Sequence, residues 1–101
     1  MNAPAAGGNP PQVVMYATGW CPYCARARQL LESRRVVFQE IDIEAAPEAR
    51  AEMQRRSGRT SVPQIFIGDV HVGGCDDLHA LEARGGLEPL LGRPPASNRR
   101  G

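Results

Sequence analysis

Residues 12–17, "QVVMYA", form an apolar, β-branched run with no polar alternation. Such a run predicts a short strand buried on both faces. "TGW" is a turn, and from Pro22 the period changes. Cys24, Ala27, Leu30 and Leu31 recur at helical spacing to about residue 34. Pro22 suits the first helical turn, where its missing N–H costs nothing. Residues 36–43, "VVFQEIDI", predict a second strand. Residues 46–58 predict a helix that starts near Pro47 and stops at Gly58. "QIFIG" (64–68) and "VHVGG" (70–74) predict two short strands, with a tight turn at Gly68-Asp69. Residues 76–86 predict a third helix, with Asp76 as N-cap, Leu78 and Leu81 on the inner face and Gly85 as stop. "LEPLL" (87–91) adds a last helical turn.

The resulting order is β-α-β-α-β-β-α, an α/β chain. The first two strands should be parallel across a right-handed connection. The last two should form an antiparallel hairpin, which makes the sheet mixed. With 101 residues the chain has room for one domain, placed at 12–91. "MNAPAAGGNPP" (1–11) and "GRPPASNRRG" (92–101) read as disordered tails.

Composition narrows the function. No apolar run approaches the ~20 residues of a membrane span, and the start lacks the basic and apolar regions of a secretory signal. All twelve basic residues are Arg, and three lie in the C-terminal tail. Residues 12–91 therefore carry nine Arg against eleven acids, a net of −2, which is not a nucleic-acid-binding balance. Three cysteines without a signal peptide suggest a reducing compartment, the cytoplasm. The odd count argues against a purely structural disulfide framework.

The chemistry centres on "GWCPYCARAR" (19–28). Cys21 ends a strand-to-helix turn, where unsatisfied N–H groups and the positive helix end favour thiolate over thiol. Cys24 lies three positions on, on the same side but deeper. This asymmetry suits stepwise exchange, with Cys21 attacking a disulfide and Cys24 resolving the mixed disulfide. A zinc site completed by Cys75 with His71 or His79 is the main competitor, but there is no second Cys-x-x-Cys and the βα junction is a redox context. A structural disulfide would close only a tiny loop. Two further stretches stand out. In "TSVP" (60–63) a cis Val62-Pro63 bond would present Val62's backbone as an edge for an extended peptide, while a trans bond would simply start a strand. In "GGCDD" (73–77) the glycines and acidic helix start suit a zwitterion, or plain helix capping.

These three stretches, in this order, resemble a glutaredoxin: "CPYC" the dithiol active site, "TSVP" the cis-proline segment, "GGCDD" the loop for the γ-glutamyl end of glutathione. Residues 55–91 are similar to the bacterial glutaredoxin 3 subgroup in particular. The resemblance implies a thioredoxin fold, a four-stranded mixed sheet flanked by helices. It implies a glutathione-dependent thiol-disulfide oxidoreductase active in cell redox homeostasis. Cys21 would be the nucleophile and Cys24 the resolving cysteine. Tyr23 would flank the cysteinyl sulfur of glutathione. Ser61, Val62 and cis Pro63 would line the tripeptide, with Val62 making the paired backbone bonds. Gly74, Cys75, Asp76 and Asp77 would hold its γ-glutamyl end, and Arg59 would approach its glycine carboxylate. Thr18 stands where the family usually has a Lys that binds this carboxylate, which implies weaker glutathione binding or a less depressed Cys21 pKa. Arg26 and Arg28 are candidates to compensate. Trp20 is more thioredoxin-like and would shield Cys21, pack on protein substrates or cover the core edge. The implied partners are glutathione, glutathionylated proteins and disulfides such as that of ribonucleotide reductase, acted on by a monomer without a metal. Two alternatives accompany this: an iron–sulfur cluster carrier, against which Pro22 argues, and a redoxin served by thioredoxin reductase.

Overall fold

Val13–Ala17 (β1) is buried along its whole length because it is an inner strand covered on both faces. The computed structural model describes residues 11–92. The tails expected at 1–11 and 92–101 lie, apart from Pro11 and Gly92, outside the described residues. Pro22–Ser33 (α1) follows β1, then Gln39–Asp42 (β2), Pro47–Ser57 (α2), Gln64–Ile67 (β3), Val70–Gly73 (β4), Cys75–Ala83 (α3) and Leu87–Leu90 (α4). The sheet order is β2-β1-β3-β4. β1 pairs parallel with β2 and antiparallel with β3, and β3 pairs antiparallel with β4. This is the four-stranded mixed sheet of the thioredoxin fold.

Alternation along β1 sorts the core into two layers. Val13, Met15 and Ala17 pack with Cys24, Ala27 and Leu31 of α1 and with Leu78 and Leu81 of α3. Val14 and Tyr16 face the other way, onto Ala49 and Met53 of α2 and onto Phe66. Full burial of each large apolar side chain contributes about 1.5–3 kcal/mol. Both faces of β1 are thus apolar, which is why its sequence shows no alternation.

α2 begins with Pro47 and ends at Gly58, whose φ of 72° allows its N–H to bond the Gln54 carbonyl at 2.9 Å. Among the boundaries that differ from those read in the sequence, two have a clear physical cause. β2 starts at Gln39, not at residue 36. Arg35 turns left-handed at φ 59° and the Val36 N–H bonds back to the Leu31 carbonyl at 2.9 Å. Val36 therefore spends its backbone on terminating α1 and only its side chain enters the core. α3 starts at Cys75 with Gly74 as N-cap, so Asp76 is not the cap. Asp77, one turn in, accepts the Gly74 N–H at 2.9 Å and does that work from inside the helix.

Candidate active site

Cys21 is itself the N-cap residue of α1, in extended conformation, with no side chain capping the helix from before it. The first-turn N–H groups that follow it have no intrahelical partner. Cys21 is 8% exposed and Cys24 is 0% exposed, and both are free thiols. Burial pushes the Cys24 thiol up to about 11; the Thr18 backbone N–H pulls it down, and the neighbouring Cys21 raises it further. Cys24 is thus a deep, protonated thiol behind a shallower one.

The second part of the site comes from loops far away in sequence. The Val62-Pro63 peptide is cis. Gly73 has φ 116°, and a Cβ there would come within 3.0 Å of the Asp77 side chain, so only glycine fits. The Asp77 carboxylate accepts both the Gly74 N–H and Arg59 Nη1, at 2.9 and 3.1 Å. These bonds hold its pKa below the ordinary carboxylate value, the Gly74 bond being the larger cause.

Tyr23, Arg59, Ser61, Val62, Pro63, Gly74, Cys75, Asp76 and Asp77 line one open cavity of about 260 Å³. Tyr23 follows Cys21 by two residues, so the cavity opens beside the dithiol. Gln64 also lines it and was not singled out in the sequence; a polar residue heading the apolar run "QIFI" was the available signal. Thr18 is not brought to this cavity. It is 2% exposed, and its Oγ1 is buried without a hydrogen-bond partner. Arg28 is tied to Glu40 of β2, with Nε 2.8 Å from Oε1. Arg26 is exposed and its charge acts on the Cys75 thiol, which burial raises. Trp20 is 71% exposed beside Cys21, and its indole N–H bonds the Glu44 carboxylate at 3.0 Å. It therefore stands out from the surface and does not cover the core edge.

The partners proposed for a zinc site are drawn elsewhere. His79 Nδ1 lies 3.0 Å from the Cys75 carbonyl and 3.5 Å from its sulfur, and His71 bonds Gln64. Among the described residues no three His, Cys, Asp or Glu side chains gather as a metal cage. No described helix is long and apolar enough to cross a membrane.

The family model "Glutaredoxin" matches residues 13–72. The chain is 62% identical over 81 residues to a glutaredoxin of Pseudomonas aeruginosa, covering 80% of this chain and 96% of that one. It is 60% identical over 79 residues to glutaredoxin 3 of Escherichia coli, covering 78% and 95%. A crystal structure of a buckwheat glutaredoxin–glutathione complex superposes with a TM-score of 0.74 at 29% identity, covering 82% of this chain and 77% of that one. With a dithiol at a helix start and a cavity beside it, the chain belongs to the glutaredoxin family, the glutathione-dependent thiol-disulfide oxidoreductases.

Proposed function

We propose that Cys21 is the nucleophile and Cys24 the resolving thiol, and that the cavity beside them holds glutathione. The observation that carries this is the inequality of the two cysteines at the start of α1, one 8% exposed and the other 0%. The Cys21 thiolate attacks the glutathione sulfur of a protein–glutathione disulfide. The S–S bond breaks and the protein leaves as thiolate. A second glutathione thiolate then attacks the glutathione sulfur held on Cys21, which releases oxidised glutathione and restores Cys21. For a protein disulfide, the Cys21 thiolate attacks one sulfur and the other leaves as thiolate; Cys24, deprotonated, then attacks Cys21 and expels the second protein thiolate, and two glutathiones reduce the Cys21–Cys24 disulfide and leave as oxidised glutathione. Two of the causes that raise the Cys24 pKa come from Cys21 itself. Both vanish once Cys21 is in a mixed disulfide, so Cys24 ionises more readily when it is needed.

The cavity suits a tripeptide with charged ends. Asp77 faces the γ-glutamyl ammonium, the first N–H groups of α3 at Cys75 and Asp76 face its carboxylate, and Arg59 serves the glycine carboxylate. Gly74, Ser61, Val62, Pro63 and Tyr23 flank the cysteinyl residue between. The glutathione complex of the buckwheat relative supports this assignment. On this reading the chain works as a cytoplasmic monomer, without a metal, on glutathionylated proteins and on disulfides such as that of ribonucleotide reductase. A glutathione-coupled assay tests the roles. Cys21→Ser should abolish turnover, and Cys24→Ser should keep deglutathionylation while losing protein disulfide reduction. Turnover retained in Cys21→Ser would sink the assignment.

A further inference from the structure

Gln64 is fully buried at the head of β3. A buried amide is tolerated when both of its ends are hydrogen-bonded. Here Nε2 donates to the Ser61 carbonyl at 3.1 Å, and Oε1 lies 2.7 Å from His71 Nε2. A carbonyl only accepts, so the amide nitrogen must face Ser61 and its oxygen must face His71. Since that oxygen also only accepts, His71 must carry its proton on Nε2. His71 is held for this task by packing. The irregular step between Ile65 and Phe66 sets it opposite Phe66, and the two rings stack at 4.8 Å and 24°.

We propose that His71 is a positioning residue for the cavity: acting through Gln64, it fixes the Ser61–Val62 peptide and aims the Val62 N–H at the bound cysteinyl residue. The Ser61 carbonyl and the Val62 N–H belong to one peptide unit. In a planar trans peptide they point in opposite directions. Anchoring the carbonyl inward, onto the buried amide, therefore turns the N–H outward. The role rests on the assignment of the cavity to glutathione. It does not need a charged imidazole. Burial, Arg59 and Arg56 depress the His71 pKa against the opposing pull of Asp77, and Nε2–H donates in the neutral and the charged form alike.

The test uses His71→Phe, which keeps a ring on Phe66 but has no donor, and His71→Gln, whose amide places a donor near the Nε2 position. KM and kcat for glutathione are measured for both, together with amide exchange at Val62 in the proteins saturated with glutathione. His71→Phe should raise KM about five- to tenfold, the scale of one hydrogen bond, with kcat within about twofold. Its Val62 amide should exchange about tenfold faster, and His71→Gln should restore most of both. Wild-type KM and Val62 exchange in His71→Phe would overturn the relay alone, as would an equal loss in His71→Gln. A wild-type protein without saturable dependence on glutathione would overturn the cavity assignment, and this role with it.

Discussion

Arg59 Nη1 and Asp77 Oδ2 meet at 3.1 Å at the cavity wall, so the two charges assigned to opposite ends of glutathione are paired with each other. Both side chains are half exposed, at 50% and 49%, and an exposed pair contributes about 0.2–1 kcal/mol to stability. The pair is weak enough to open for a ligand. The Asp77 pKa is depressed, so its contribution to stability is complete above the ordinary value of 3.8 and is lost as the pH falls below it. Arg59→Gln should raise the Asp77 pKa yet leave it depressed, because the Gly74 N–H remains. Carboxyl carbon NMR titration reads this directly; a return to the ordinary value would give the leading role to Arg59 instead. In the same variant KM for glutathione should rise several-fold.

Cys24 predicts an alkaline limit. Its pKa is raised from 9.0 to about 11, chiefly by burial. A thiol that ionises more easily unfolded than folded leaves stability flat below 9.0 and erodes it as the pH climbs toward about 11. Cys75, also raised by burial, acts in the same direction. Urea unfolding from pH 7 to pH 11 should show the loss, and Cys24→Ala should reduce it. In Cys21→Ser, burial still raises the Cys24 pKa but the Cys21 charge is gone, so alkylation of Cys24 should stay slow at neutral pH and set in below the wild-type value of about 11.

Gly73→Ala should damage both fold and site. The substitution places a Cβ within 3.0 Å of Asp77 at a φ of 116°, which L side chains rarely adopt. A loss of about 1–3 kcal/mol is expected from the backbone alone. Displacement of the carboxylate should add a rise in KM for glutathione at unchanged Cys21 alkylation. Wild-type stability in this variant would show that the loop relaxes freely.

Thr18 separates stability from affinity. Its hydroxyl is buried without a partner, and leaving such a group unsatisfied costs about 1–3 kcal/mol. The near-isosteric Thr18→Val should therefore unfold at higher denaturant, with wild-type KM for glutathione. A destabilised Thr18→Val would mean that the hydroxyl is satisfied in solution. Thr18→Lys restores the charge common in the family and should lower KM a few-fold if its ammonium reaches the cavity rim. No change would mean that Arg59 and the start of α3 suffice.

The sequence by itself determined the elements and the family. The β-branched run before the dithiol, Pro22 and Pro47 at helix starts and Gly58 at a helix end are local signals, and local backbone physics obeys them. "CPYC", "TSVP" and "GGCDD" marked eight of the residues that now share a cavity, and Arg59 lies one residue before "TSVP". Tertiary structure decided the rest. Val36 left its strand because its N–H was taken by the end of α1, and Asp77 capped α3 from within because Gly73 bends the chain over it. Thr18, three residues before Cys21 in sequence, is buried and does not line the cavity. Gln64 and His71, seven residues apart with no motif between them, meet because the irregularity in the β3–β4 ladder turns His71 toward Phe66. Hydrogen bonds across a sheet depend on register, and register is fixed only when the two faces of β1 and β3 find their separate cores.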